Sequence, residues 1–179
     1  MKSLTTILMT VALATSVVAG PVGTAPKNAK APVAPMAPVQ TGCGCFGAGG
    51  AFDVFGGAYL PKNGDDVLGG GLGFNYFFNR NVGLDLNYGL YATDKEHHQF
   101  DGNLVFRAPI DSLCIAPYLL VGGGVSTNSV TRGNYQAGAG LDIRIPSASC
   151  LGLFAEGAYH WSTVDPDYTT VRMGLRIPF

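Results

Sequence analysis

Residues 68–92 read LGGGLGFNYFFNRNVGLDLNYGLYA, and they alternate at period two on both sides of the short polar turn Asn79-Arg80-Asn81. That pattern predicts a β-hairpin. On the first arm Leu68, Leu72, Phe74, Tyr76 and Phe78 share one face, and Gly69, Gly71, Gly73 and Asn75 share the other. On the second arm Val82, Leu84, Leu86, Tyr88 and Leu90 oppose Gly83, Asp85, Asn87 and Gly89. A soluble sandwich would turn its large apolar side chains to a core and its charges to water. Here the non-apolar face is mostly glycine around one carboxylate, which suits a cramped polar interior, and the apolar face ends in aromatics at the turn, as membrane girdles do. The hairpin therefore predicts a closed barrel that crosses a membrane.

Working outward, eight strands are expected, at roughly 49–60, 66–78, 82–93, 97–107, 114–125, 133–145, 150–162 and 168–178. Each has about the 10 residues that a tilted strand needs to cross a bilayer. PKNGDD, TDKEHH, TNSVTRG and TVDPD connect them at one end, and NRN, APIDS and PSAS at the other. An even strand number returns both ends of the barrel to the same side. The expected fold class is thus all-β, an eight-stranded antiparallel up-and-down transmembrane barrel over residues 46–179. The fifth strand, Ile115 to Val125, is apolar on both faces, so alternation does not orient it.

The rest of the chain supplies an address. Met1-Lys2-Ser3 and the apolar run Leu4–Ala19 form a secretory signal, with Val17 and Ala19 placed for cleavage after Ala19. Residues 20–45 are rich in Pro and Ala, with Pro21, Pro26, Pro32, Pro35 and Pro38 favouring an extended, disordered periplasmic spacer. Export and spacing suffice to explain it; a periplasmic tether in which Lys27 and Lys30 touch acidic polymer or lipid is the alternative. The 26 glycines and 13% charged residues fit a β-rich domain, and a net charge of −1 gives no basic field for nucleic acid.

Extending the face assignment predicts an interior list of Asp53, Asp85, Asp101, Asp142 and Glu156 with Arg107, Arg144, Arg172 and Arg176. The lumen of an eight-stranded barrel is only wide enough for its own side chains. Charges there must pair or be hydrated, so these nine residues read as a structural lumen network and not as a conduction path. The last strand ends on the alternation Val171, Met173, Leu175, Ile177, Phe179, interleaved with Arg172, Gly174 and Arg176. A terminal aromatic after alternating apolar residues resembles the signal that bacterial barrel-assembly machinery reads. Pro178 departs slightly from it and costs at most one ladder bond.

The signal segment, the eight alternating strands, the hairpin GLGFNYFFNRNVGLDLNY, the strand APYLLVGGG and the terminal phenylalanine together resemble the small outer-membrane barrels of the OmpA/OmpX-like superfamily. The resemblance covers about residues 46–179. It implies a bacterial outer-membrane location, outer-membrane lipid and lipopolysaccharide as surroundings, barrel-assembly machinery as a partner in biogenesis, and a monomer. It implies a structural, envelope-maintenance or surface-interaction role, since such barrels serve as anchors, adhesins and host-interaction proteins and occasionally as enzymes. No peptidoglycan-binding domain follows the barrel in this sequence, and the outer loops are short for an elaborate adhesive surface.

Four further patterns touch on chemistry. Cys43, Cys45, Cys114 and Cys150 are an even set in an exported chain, which favours disulfides. Cys114 and Cys150 each open a strand at the same barrel end, with one strand between them and a separation of roughly 10 Å in an ideal ladder. A bridge between them is one expectation; a link from Cys43 or Cys45 to another chain or to a cysteine at that end is another. The spacing fits no common zinc pattern, and no cofactor is expected. Asp94, Glu96, His97 and His98 crowd one outer loop and could hold a divalent cation, although a solvated polar loop explains them more simply. Tyr159-His160-Trp161-Ser162 resembles the histidine–serine spacing of lipid A deacylase barrels, with Glu156 on the same face. Positions 156 and 160 lie about 13 Å apart on a strand, and the alternation turns His160 and Ser162 away from lipid. Tyr159 and Trp161 are expected in an interfacial girdle, and no catalytic residue is assigned. A narrow channel and a soluble periplasmic ligand-binding β-barrel are the remaining alternatives. The glycines at 69–71 and 73 lack the helix and lysine of a phosphate loop and read as relief of crowding.

Overall fold

The computed structural model describes residues 43–92, 97–127, 130–163 and 166–179. The expected signal segment, most of the proline-rich spacer, and Asp94 and Glu96 lie outside them. Eight strands follow one another: β1 Gly49–Pro61, β2 Val67–Phe77, β3 Val82–Tyr91, β4 His97–Arg107, β5 Ile115–Thr127, β6 Thr131–Ile145, β7 Leu151–Ser162 and β8 Tyr168–Pro178. Each pairs antiparallel with the next, and β1 pairs with β8, so the sheet closes into a barrel with strands in chain order. Closure leaves no edge strand with unpaired backbone groups, as a bilayer demands. β5 and β6 run further than alternation alone suggested and meet in register at Thr127↔Thr131.

The faces follow the pleat. Leu68, Leu72, Tyr76 and Phe78 of the hairpin are exposed, as are Leu84, Leu86, Tyr88 and Leu90, while Asn75, Asp85 and Asn87 are buried. The turn between the arms is held by Asn79, whose Oδ1 accepts hydrogen bonds from the backbone N–H of Asn81 at 2.8 Å and of Val82 at 2.9 Å. β5 acquires an orientation: Ala116, Tyr118 and Leu120 point inward, and Leu119, Val121 and Val125 outward. It is apolar on both faces because Tyr118, Leu120, Phe77, Val105 and Ala158 make an apolar layer inside the lumen.

Inward glycines make room for the rings. Phe55 is paired with Gly71 on one side and Gly174 on the other. A Cβ on Gly71 would stand 2.6 Å from Phe55 Cζ and 2.1 Å from the Tyr88 carbonyl oxygen. In an interior this narrow, one aromatic ring takes the volume of its neighbours' side chains.

Candidate functional site: the charged lumen and its strapped mouth

The barrel has a terminus end, where β1 begins and β8 finishes, and an opposite loop end. All nine interior charges named above are buried. Toward the terminus end Arg176 binds two acids at once. Its Nε and Nη2 donate to Asp53 at 3.0 and 2.7 Å, and its Nη1 donates to Asp142 Oδ2 at 2.9 Å. Asp142 Oδ2 also accepts from Arg144 Nη2 at 2.8 Å, and Asn75 Nδ2 donates to Asp53 Oδ1 at 2.9 Å. Deeper in, Arg172 donates through Nε to Glu156 Oε1 at 3.1 Å and lies 3.9 Å from Asp85, while the Tyr118 hydroxyl donates to Glu156 Oε2 at 3.0 Å. Each of these carboxylates therefore meets cations or donors through at least one oxygen, the condition under which buried charges are tolerated, while Oδ1 of Asp85 and of Asp142 is buried without a hydrogen-bond partner among the described residues. Asp101 accepts from Gln99 Nε2 at 2.7 Å.

At the loop end aromatic rings take over. Tyr59 packs on Tyr168, His97 and Tyr91 with centroids 4.6, 4.9 and 5.7 Å apart, and His160 stacks on Tyr168 at 4.3 Å. His160 Nε2 lies 2.9 Å from the Thr170 hydroxyl, and its Nδ1 lies 3.4 Å from Gln99 Nε2. Glu156 is committed to Arg172 and Tyr118 and does not contact His160. The Ser162 backbone N–H donates to Asp167 Oδ1 at 3.3 Å. His97 is buried, whereas His98 faces outward, its Nδ1 2.8 Å from the Tyr88 hydroxyl. Neighbours on one strand point to opposite faces, so these two imidazoles do not converge on one cation. Tyr159 and Trp161 are exposed on the outer wall with ring centroids 5.1 Å apart.

The expected Cys114–Cys150 bridge is not formed. Cys43 bonds to Cys114 and Cys45 bonds to Cys150, with Cα–Cα distances of 5.2 and 5.4 Å. The reason is geometric. The turns before β5 and β7 are a strand apart, and Cys43-Gly-Cys45 extends across the mouth, its odd positions reaching one turn each. Cys114 and Cys150 both take the left-handed conformation, with φ 54° and 60°. A domain boundary at 45/46 therefore cuts through a strap, Cys43–Ala48, that belongs to the barrel. Its one large side chain, Phe46, is 3% exposed. The guanidinium carbons of Arg107 and Arg144 stand 5.4 and 5.9 Å from the Phe46 ring centre, within cation–π range. Arg107 also lies 3.5 Å over Phe77, and it donates to the Gly47 carbonyl at 2.7 Å and to the Arg80 carbonyl at 2.8 Å. Phe46 and the strap went unseen in the sequence; the signal was the Cys-Gly-Cys spacing directly before an aromatic.

A closed eight-stranded antiparallel barrel with apolar walls and a charged, filled lumen defines a class, the small transmembrane β-barrels of outer membranes, and this chain has that fold. Among solved structures it is similar to the N-terminal β-barrel domain of Pseudomonas aeruginosa OprF, with a TM-score of 0.57 and 18% identity over 73% of this chain and 96% of that one. It is similar to Neisserial surface protein A, with a TM-score of 0.56 and 12% identity over 74% and 97%. It is also similar to the outer-membrane enzyme PagL, with a TM-score of 0.50 and 15% identity over 71% and 99%. No protein-family model and no curated protein matches the chain.

Proposed function

We propose that the protein is an exported, monomeric outer-membrane barrel with a structural, envelope-maintenance or surface-interaction role, and neither an open pore nor an enzyme. The observation that carries this reading is the lumen. Ion-paired side chains, an apolar layer among them and an aromatic cluster fill it, and the strap lies over one end. The exposed Leu, Phe, Tyr and Val wall suits lipid, and the terminus end would face the periplasm, with the signal segment removed at Ala19. Lipopolysaccharide would surround the loop end, and Val171, Met173, Leu175, Ile177 and Phe179 would present the assembly signal. Phe179 supports this, being exposed and packed beside Phe52 at 5.0 Å on the outer wall.

Two measurements test the reading together. The detergent-extracted protein should sit in the outer-membrane fraction and change gel mobility only when boiled, and the purified barrel should give no steady current in a planar bilayer. A soluble protein without a mobility shift, or a stable ion-selective current, would overturn it. A lipid hydrolase on this fold is the second reading, prompted by the His160–Ser162 spacing. The burial of His160 against Tyr168 and Thr170 counts against it, and unchanged background hydrolysis of acylated lipid in His160→Ala and Ser162→Ala would dispose of it.

A further inference from the structure

The strap does not fill the mouth it crosses. Beneath it a cavity of about 100 Å³ remains, lined by Cys45, Gly47, Gly49, Asn75, Arg107 and Arg144 among others. That volume holds several waters or one small polyatomic ion, since a single water needs only about 10–15 Å³ by the same measure. The side-chain charges on its wall have one sign: Arg107 and Arg144 line it, beside Pro178 of β8 and the following Phe179, and no carboxylate side chain does.

These guanidiniums are not fully used. Arg107 is 5% exposed, and among the described residues its side chain donates only to two backbone carbonyls, those of Arg80 and Gly47. A buried cation whose only hydrogen-bond partners are neutral carbonyls keeps its charge uncompensated at short range. Arg144 is likewise 5% exposed; its Nη2 donates to Asp142 and its Nη1 to the Cys150 carbonyl, while its Nε is buried with no hydrogen-bond partner among the described residues. The Phe46 ring stands against both guanidiniums. Cation–π contact is the weak substitute for an anion, worth less than a charge-assisted hydrogen bond. The roof consists of small residues: a Cβ added at Gly47 or Gly49 would meet nothing within 4 Å.

We propose that this cavity is a binding site for a small oxyanion, a phosphate- or carboxylate-type group held by the Arg144 Nε–H and the Arg107 guanidinium under the disulfide-anchored strap. The disulfides matter because they fix Gly47 and Phe46 at the mouth, so the two guanidiniums are pre-positioned and the space between them and the roof is kept. The group can come from a dissolved anion or from the headgroup of a lipid beside the mouth, and the chemistry recognised is the same.

The test is nuclear magnetic resonance of the arginine Nε–H signals in the full oxidised barrel, in a nonionic detergent free of phosphate. Inorganic phosphate is titrated against chloride at matched ionic strength. Two signals, assigned with Arg107→Gln and Arg144→Gln, should move saturably with phosphate and not with chloride, that of Arg144 furthest, while those of Arg172 and Arg176 stay in place. Each glutamine variant that retains heat-modifiability should bind phosphate at least tenfold more weakly. Should neither variant fold, through-bond correlation of each Nε–H to its own backbone amide assigns the wild-type signals, and the titration still decides with Arg172 and Arg176 as internal controls. In nanodiscs of phosphatidylglycerol, signals already at their shifted position without added phosphate would identify a headgroup as the source and support the site. Shifts that follow ionic strength alone, or that spread over all the arginines, would overturn it.

Discussion

Arg176 shows how little freedom a residue has inside this barrel. Its guanidinium serves Asp53 from β1 and Asp142 from β6 together, so replacing it leaves two buried carboxylates facing each other across the terminus-end lumen. Removing one partner of a buried pair costs about 3–5 kcal/mol. Arg176→Gln should therefore lower the urea midpoint of the folded barrel well beyond what Arg80→Gln does, since Arg80 pairs with Asp111 on the exposed surface and such pairs are worth about 0–1 kcal/mol. Equal midpoints for the two variants would mean that Asp53 and Asp142 are relieved by water. Alternation alone assigned these residues a face, because period two is a property of each strand by itself. It did not assign partners: Asp53 and Arg176 are 123 positions apart and meet only because β1 closes on β8.

At the scale of elements, glycine decides which strands can lie side by side. Gly71→Val should abolish the heat-dependent mobility shift, because its first side-chain carbon already collides with the Tyr88 carbonyl and the Phe55 ring. Gly157→Ala, with nothing within 4 Å of its new carbon, should keep the shift and change stability by no more than about 0.5 kcal/mol. The strap obeys different physics. Cys43–Cys114 spans 71 positions, and closing a loop of that length in the unfolded chain is worth about 4 kcal/mol in the chain-entropy picture. Cys45–Cys150 adds less, since Cys43 and Cys45 are already neighbours. A variant with all four cysteines replaced by serine should refold into detergent, migrate as a heat-modifiable barrel and unfold at lower urea than the oxidised protein. Failure to form any barrel would make the strap part of the folding nucleus instead of a late staple. The strand boundaries were readable to within a few residues because turn chemistry brackets each one. The strap was not, since a disulfide partner is set by which turns the closed barrel brings within reach, and sequence spacing holds no record of that.

For the whole molecule the question is what blocks the lumen. Toward the terminus end stand the Phe46 strap and the Asp53–Arg176–Asp142 lattice. The apolar layer of Phe77, Val105, Tyr118, Leu120 and Ala158 lies among these charges, Phe77 lining the cavity under the strap and Tyr118 donating to Glu156. The ring cluster of Tyr59, Tyr91, His97 and Tyr168 fills the loop end. Conductance is set by the tightest constriction, and apolar side chains packed inside a narrow lumen exclude ions where they leave no path for water. Leu120, 1% exposed and in that layer, makes it a stronger block than the strap, which leaves a cavity behind itself. The four-serine variant, with its strap released, should thus remain as silent in a planar bilayer as the wild type, while Leu120→Gly together with Tyr118→Ala should introduce brief, small openings by hollowing the layer. A steady current from the four-serine variant alone would show that the strap is the only seal, and that the charged lattice above it is wet enough to conduct.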